Sequence, residues 1–359
     1  MKKNIAVIFG GVSSEHEISI MSVQFVLSNI SKEKYNVYKI GITKEGAWFL
    51  YFGDIDKIPT GEWQSDPKNK PAIISPDRKR KGLLVFTEDK WELIPIDVVY
   101  PVLHGKNGED GTIQGLFELA GIPYVGCDMI ASATCMDKVI TNVMLTNGGI
   151  EKAKFDSIWD WEYKDDKNAV VSKIEKNLQY PIFVKPSKAG SSVGVSKVND
   201  RDELCKAIEV AIREDNRILF EETIIGKEVE CAVLGNEHPI VSMVGEIAPS
   251  NDFYDYEAKY LSNTSKLFIP AHLDEEISEK IRSVAAKAYA IMGCTGLSRV
   301  DFFVQSGTNR VLLNEINTIP GCTSISMYPK LMENVGVTNS ELVERLLEFA
   351  VQRARCNDK

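Results

Sequence analysis

The sequence predicts an α/β protein that becomes α+β in its C-terminal part and divides into two or three domains. Three observations predict it. Residues 4–9 make a buried strand, apolar from Ile5 onward, closed by Gly10-Gly11 and followed by a helical pattern, the opening of an α/β unit. The C-terminal half instead alternates apolar and polar residues with a period of two between turn signals, as half-buried strands do. And 359 residues exceed what a single hydrophobic core organises.

From the N-terminus, the strand at 4–9 runs into Ser13-Ser14-Glu15-His16-Glu17, which opens a helix carrying Ile18, Met21, Val26 and Leu27. The GGVSSE turn lacks G-x-G-x-x-G, so it is no dinucleotide fingerprint. Glu15 at a helix N-terminus suits the helix dipole as a cap. A second strand spans Tyr35 to Ile42, and the Lys-, Pro- and Trp-rich stretch up to Trp91 shows no clear element. Ile96 to Leu103 is a strand emptying into His104-Gly105-Lys106-Asn107-Gly108-Glu109-Asp110-Gly111. Three glycines so close together mark backbone that bends sharply or lies against a ligand. His104 falls where open α/β sheets place ligand contacts, at a strand's C-terminal end. A helix over Ile113 to Ala120 stops at Gly121.

A helix starts at Cys127 and is expected to run through Met136-Asp137-Lys138. Tyr180 to Lys185 is a strand ending on a lysine, followed by the small-residue hairpin Ser187 to Val195. This is not a P-loop, because no GK[ST] opens a helix. A hairpin of this composition can still cover phosphates with N–H groups, with Lys138 and Lys185 as point charges. Arg217 to Gly226 is a strand leading to a junction, a natural seat for an adenine ring against Glu221. Glu228–Leu234 and Ile240–Ile247 alternate as strands. The segment 248–264 is long, aperiodic and rich in aromatics, which argues for a packed lid. A helix from Asp274 to Met292 ends at Gly293, and the last helix opens on a capping box, Thr338-x-x-Glu341.

Composition excludes several classes. A net charge of −9 argues against a nucleic-acid surface, and Arg78 to Lys81 is too short a basic run to restore one. No segment approaches the ~18 apolar residues of a membrane span, and the N-terminus lacks a signal-peptide pattern. Seven scattered cysteines without C-x-x-C point to a reducing cytoplasm. Four isolated histidines argue against a zinc site.

The chemistry concentrates in residues 297–326. Alternation sets Arg299 and Asp301 on one strand face against Val300, Phe302 and Val304 on the other, while Leu313, Glu315 and Asn317 share a face of the next strand. A hairpin folded about Thr308 pairs Asp301 with Glu315 and Arg299 with Asn317 in one register, with opposed Cβ atoms roughly 5 Å apart. Hard oxygen ligands of this kind suit Mg²⁺ completed by phosphate oxygens. A solvated polar face with one Arg–Asp pair is the plainer alternative.

Taken together, IAVIFGGVSSEHEIS, VLHGKNGEDGTIQGLFELAGIPYVG, MDK, FVKPSKAGSSVGV, FYDYEAKY, GLSRVD and LNEINTIPGCTSIS resemble the D-alanine–D-alanine ligases of the ATP-grasp superfamily over nearly the whole chain. The resemblance implies three domains: an N-terminal parallel-sheet domain over 1–126, a central subdomain over 127–223 and a C-terminal subdomain over 224–359. It implies that Glu15, positioned through Ser191 and Tyr260, holds the first D-alanine's ammonium, with His104 nearby. Lys138 and Lys185 would contact ATP phosphates, Glu221 and the Ile224 backbone the adenine, Glu228 the ribose and Lys259 the transferred phosphoryl group. Asp301, Glu315 and Asn317 would ligate two Mg²⁺ or Mn²⁺ ions, Arg299 and the Gly321 N–H would form an oxyanion site, and Ser326 would bind the second substrate's carboxylate. A cytoplasmic homodimer making peptidoglycan precursor follows from the same likeness.

The resemblance extends to D-Ala-D-Ser ligases of the vancomycin-resistance type, which commonly carry Arg where this chain has Met327. Met327 offers a serine hydroxyl no donor, which favours D-alanine as second substrate, although an apolar pocket rejects an added hydroxyl only about 10²-fold. Retention of Tyr260 argues against D-lactate. A catalytically silent nucleotide-binding relative is the rival of another class. Glu222 departs from the family pattern, standing where a lysine is often found.

Overall fold

Three β-sheets carry the chain in the computed structural model, which describes residues 2–88, 90–248, 266–323 and 325–357. The first sheet contains β1 (Lys3–Gly10), β2 (Tyr35–Ile42), β3 (Trp48–Tyr51), β4 (Lys70–Ile74), β5 (Gly82–Phe86), β6 (Trp91–Pro95) and β7 (Val98–Val102), in the order β6-β5-β4-β3-β2-β1-β7. β1 pairs parallel with both β2 and β7, using α1 (His16–Asn29) as the crossover to β2. The expected parallel sheet is therefore the heart of a larger mixed one. β3 to β5 come from the stretch that showed no clear element and β6 follows directly after it; all four add antiparallel, and the β2–β3, β4–β5 and β5–β6 connections are too short for a parallel crossover. Gly10 turns the chain off β1 at φ +89, where a Cβ would overlap the Ile42 carbonyl. α2 (Thr112–Ala120) follows β7 and stops at Gly121.

The helix expected to run through Asp137 is instead two, α3 (Met129–Met136) and α4 (Lys138–Asn147). Asp137 adopts extended backbone and its carboxylate accepts from the N–H groups of Val139 and Ile140, both at 3.1 Å. It is an N-cap that restarts the helix with Lys138 as its first residue.

The second sheet orders β10 (Ser196–Val198), β9 (Ile182–Pro186), β11 (Arg217–Glu222) and β8 (Phe155–Trp159), all antiparallel, covered by α5 (Asp160–Asp165), α6 (Lys167–Asn177) and α7 (Arg201–Glu214). The third sheet has β12 (Gly226–Gly235), β13 (Ile240–Ala248), β14 (Lys266–Phe268), β15 (Gly296–Gln305) and β16 (Val311–Asn317), ordered β14-β13-β12-β15-β16. α8 (Glu275–Ile291), α9 (Met327–Asn334) and α10 (Asn339–Asn357) accompany it. Thr338 Oγ1 accepts from the Glu341 N–H at 3.3 Å, the capping contact expected there.

The cores show which sheets are joined. Ile5, Val7 and Phe9 of β1 share one apolar cluster with Leu234 of β12, Leu331 of α9 and Leu342 of α10. The opposite face of the first sheet packs Ile8, Leu83 and Phe117 together. Residues 127–150 bury Cys127, Ala131, Cys135 and Leu145 with the third sheet. The second sheet has a core of its own, including Ile158, Ile174, Leu204 and Phe220. Arg353 of α10 adds a polar tie: its guanidinium donates to the carbonyls of Gly126 and Tyr124 and to Thr295 Oγ1, and lies 4.3 Å from the Tyr124 ring centroid.

Candidate active site

β15 and β16 form the predicted hairpin, and their register near the site is the expected one: Arg299 opposes Asn317 and Asp301 opposes Glu315. Nearer the turn the register shifts by one, so that Phe302 opposes Leu313 and Val304 opposes Val311. Asn314 is the extra residue of a β-bulge. Strict alternation would have put Leu313 on the face of Glu315. The bulge instead sends Leu313 into the core with Phe302 and Val304 and leaves Glu315 facing the cavity.

That cavity, about 790 Å³, opens between the three sheets. It is lined by Glu15 and His104 from the first sheet's loops and by Lys138, Lys185, Ser191 and Glu221 from the middle of the chain. Ile224, Glu228, Arg299, Asp301, Glu315, Asn317, Gly321, Ser326 and Met327 complete the predicted set. The exceptions are Lys259 and Tyr260, which with the expected lid lie outside the described residues.

The polar side chains are already engaged with one another. Arg299 donates in a fork to Asp301, Nε to Oδ1 and Nη2 to Oδ2, each at 2.7 Å. Its Nε also lies 3.0 Å from Glu230 Oε2 on the neighbouring strand. Asn317 Nδ2 donates to Asp301 Oδ2 at 2.9 Å, and Lys138 Nζ stands 3.7 Å from Glu315 Oε2. Two carboxylates and an amide oxygen form the candidate cation set. Among the described residues no three His, Cys, Asp or Glu side chains converge on a point. Such a sparse oxygen set suits Mg²⁺, which keeps several water and phosphate ligands, better than a metal needing a full protein cage.

Toward the second sheet, Glu221 is buried and accepts from Lys185 Nζ at 2.7 Å and Asn142 Nδ2 at 2.9 Å. Burial alone would raise its carboxyl's pKa, but Lys185 and Lys152 outweigh that and hold it below the usual range. Lys185 answers in kind: burial works against its charge, yet Glu221 keeps its pKa above the ordinary lysine value. Lys138 Nζ also donates to the Ala189 carbonyl at 2.8 Å, anchoring the small-residue hairpin. Ser191 and Ser192 at the tip of that hairpin take left-handed φ values of +48 and +60. Glu222 turns away from the expected lysine role, accepting the Lys154 N–H at 2.7 Å.

At the other end Ser191 Oγ donates to Glu15 Oε1. Glu15 is buried and threads between Gly105 and Gly190, where a Cβ at either position would overlap its Oε2. His104 is buried, with Nδ1 3.0 Å from the Ile319 carbonyl and Nε2 3.3 Å from Ser22 Oγ. The carbonyl can only accept, so Nδ1 carries the proton and Nε2 accepts from Ser22. Burial pulls the His104 pKa down to about 4, and the ring is neutral. Ser326 Oγ accepts the Thr323 N–H at 2.9 Å beside Gly321. Met327 lines the cavity but is itself almost wholly buried, packed against Gly245.

Several cavity or near-cavity residues escaped sequence reading. Glu230 could have been found, since period two puts it on the face of Glu228. Glu109, whose backbone-held carboxylate accepts the Gly105 N–H at 3.2 Å, is pushed up to about 8 by burial and then by Glu15. Lys152 carried no pattern at all.

An antiparallel sheet pair gripping a cleft, with lysines on one wall and oxygen ligands on the other, defines an ATP-grasp enzyme, and comparison with known proteins agrees. Family models described as D-ala D-ala ligase N-terminus and C-terminus match residues 4–127 and 144–348. A D-alanine--D-alanine ligase of Acetivibrio thermocellus is 53% identical over 370 aligned residues, covering 100% of this chain and 98% of that protein. One from Caldicellulosiruptor bescii is 50% identical, covering 99% and 96%. Among solved structures, the VanG D-Ala:D-Ser ligase of Enterococcus faecalis superposes with a TM-score of 0.89 at 44% identity, covering 98% of this chain and 100% of that one. The D-alanine-D-alanine ligase of Coxiella burnetii gives 0.85 at 34%, covering 99% and 96%. The chain belongs to the D-alanine–D-alanine ligase family, and it is an ATP-dependent ligase.

Proposed function

We propose that this enzyme joins two D-alanines into D-alanyl-D-alanine for peptidoglycan precursor synthesis, forming ADP and phosphate. The observation that carries the reading is that Glu15–Ser191, Lys138, Lys185 and the Asp301–Glu315–Asn317 set all line one cavity. A carboxylate is a poor electrophile. An oxygen of the first D-alanine therefore attacks the γ-phosphorus, the bond to ADP breaks, and an acyl phosphate results. The second D-alanine's deprotonated amine attacks the acyl carbon, and phosphate leaves.

Each residue has a part. Glu15, oriented by Ser191 and Tyr260, holds the first substrate's ammonium, and neutral His104 beside it adds no competing charge. Glu221 and the Ile224 backbone take the adenine and Glu228 the ribose. Lys138, Lys185 and Lys259 offset phosphate charge. Asp301, Glu315 and Asn317 would hold Mg²⁺ or Mn²⁺, two ions per site, which would supply electrophilic neutralisation of the phosphoryl oxygens. Arg299 and the Gly321 N–H stabilise the oxyanion on the acyl carbon, typically about 10²–10³ in rate per donor. Ser326 takes the second carboxylate. A division at 1–126, 127–223 and 224–359, a homodimer and a cytoplasmic setting belong to the same proposal. Among the described residues no helix is long and apolar enough to cross a membrane.

D-Serine as second substrate is the alternative, favoured by the VanG likeness. The thioether at Met327 speaks against it. Product identification with D-alanine, D-serine and D-lactate in competition tests the choice. D-alanyl-D-alanine is expected to dominate, and equal turnover with L-alanine would refute the dipeptide assignment.

A further inference from the structure

Residues 151–154 bridge the second and third sheets directly beneath the cavity. On one side the Leu313 N–H donates to the Glu151 carbonyl at 3.0 Å. On the other the Glu222 N–H donates to the Lys154 carbonyl at 2.9 Å. Between these stitches lies Lys152, only 9% exposed, an unusual setting for a lysine. Its ammonium donates to the carbonyl of Asn314, the bulge residue next to Glu315. It also sits close enough to Glu221 for each to be a principal electrostatic influence on the other.

Two demands meet at this side chain. The extra residue of a bulge falls out of the ladder, so its carbonyl needs a partner from elsewhere. Here the bulge is also what turns Glu315 toward the cavity. At Glu221, the buried carboxylate has two cations near it, Lys185 at 2.7 Å and Lys152. If Lys185 turns to a bound nucleotide's phosphates, Lys152 is the cation that stays.

We propose that Lys152 is a positioning residue for Mg-ATP: it braces the Asn314 bulge that aims Glu315 and remains as counter-charge to Glu221 when Lys185 engages phosphate. Burial lowers the pKa of the Lys152 ammonium to about 8 while Glu221 works to raise it, consistent with an ammonium sustained by that neighbour. The inference rests on the assignment of Glu221 to the adenine.

Steady-state kinetics on Lys152→Met, Lys152→Gln, Lys152→Arg and Glu221→Gln test it, with MgCl₂, ATP and D-alanine each varied. Lys152→Met is expected to raise the KM for ATP about tenfold and to raise the half-saturating Mg²⁺ concentration, with both D-alanine KM values within twofold of wild type. Lys152→Arg, which keeps the charge, should recover most of the ATP effect. Lys152→Gln, which keeps a donor but no charge, should disturb ATP more than Mg²⁺ and serves if the Met variant does not fold. An ATP KM within twofold of wild type in a folded Met or Gln variant overturns the proposal, as does a parallel rise for ATP and D-alanine. If Glu221→Gln leaves the ATP KM unchanged, the adenine assignment fails first. If Glu221→Gln raises it and loss of the Lys152 charge does not, only the role of Lys152 fails.

Discussion

Replacing His104 with Asn should make the protein less sensitive to mild acid. The histidine is buried, donates from Nδ1 to the Ile319 carbonyl and, as the neutral ring its burial favours, accepts at Nε2 from Ser22. Its pKa is about 4 in the fold against 6.5 for the free side chain. Below pH 6.5 the unfolded chain takes up a proton that the folded chain refuses, so stability is full above that value and drains away as pH falls toward 4. At about 1.36 kcal/mol per pH unit, the whole effect is about 3.4 kcal/mol. Between pH 7 and 5 it amounts to roughly 2 kcal/mol. The variant loses the Nε2 contact and should start about 1 kcal/mol less stable at pH 7. It should then overtake the wild type between pH 6 and 5. Urea unfolding at pH 7, 6 and 5, read by tryptophan fluorescence and circular dichroism in parallel, provides the comparison, because every other titrating group is common to both proteins. Midpoints that fall in step for the two proteins would refute a neutral His104, as would an NMR titration placing its pKa near 6.5.

Glu315→Gln should reduce kcat by at least about 10³ while leaving the circular dichroism spectrum intact, given the charge removed from phosphoryl transfer; near-native turnover would take Glu315 out of the cation site. Arg299→Lys loses the fork to Asp301 and should cost about 10² in kcat with a smaller change in the KM for ATP, measured by phosphate release. Met327→Arg should raise D-serine use relative to D-alanine in a mixed-substrate assay and lower the thermal midpoint, because the Met327 side chain is buried. An unchanged substrate ratio would mean selectivity is set elsewhere.

How far the sequence carries depends on which physical signal each residue leaves. The pairing of Asp301 with Glu315 was legible because two alternating strands and a short turn define a register. The bulge at Asn314 was not, since one extra residue changes no composition and shows only when Leu313 is found in the core. β3 to β6 were missed because neither face of that stretch alternates cleanly. The break at Asp137 was missed although its cap chemistry was visible: a single Asp inside an apolar helical pattern can be a surface position just as well. Lys152 offers the hardest case. Lysines are normally solvated, and only the backbone around this one shows that it is enclosed. The roles assigned to Lys259 and Tyr260 fall on residues outside those described.

The shared apolar cluster and the Arg353 tie have a consequence for how the reaction is staged. Glu15, His104, Arg299 and Gly321 all belong to one welded body, whereas Lys185 and Ser191 ride on a layer whose interior is separate. On the proposed assignment, the stations for the two amino acids, Ser191 apart, are thus built to tolerance beforehand, like a fixed anvil. Whatever adjustment the nucleotide demands falls to the four-stranded layer that delivers it.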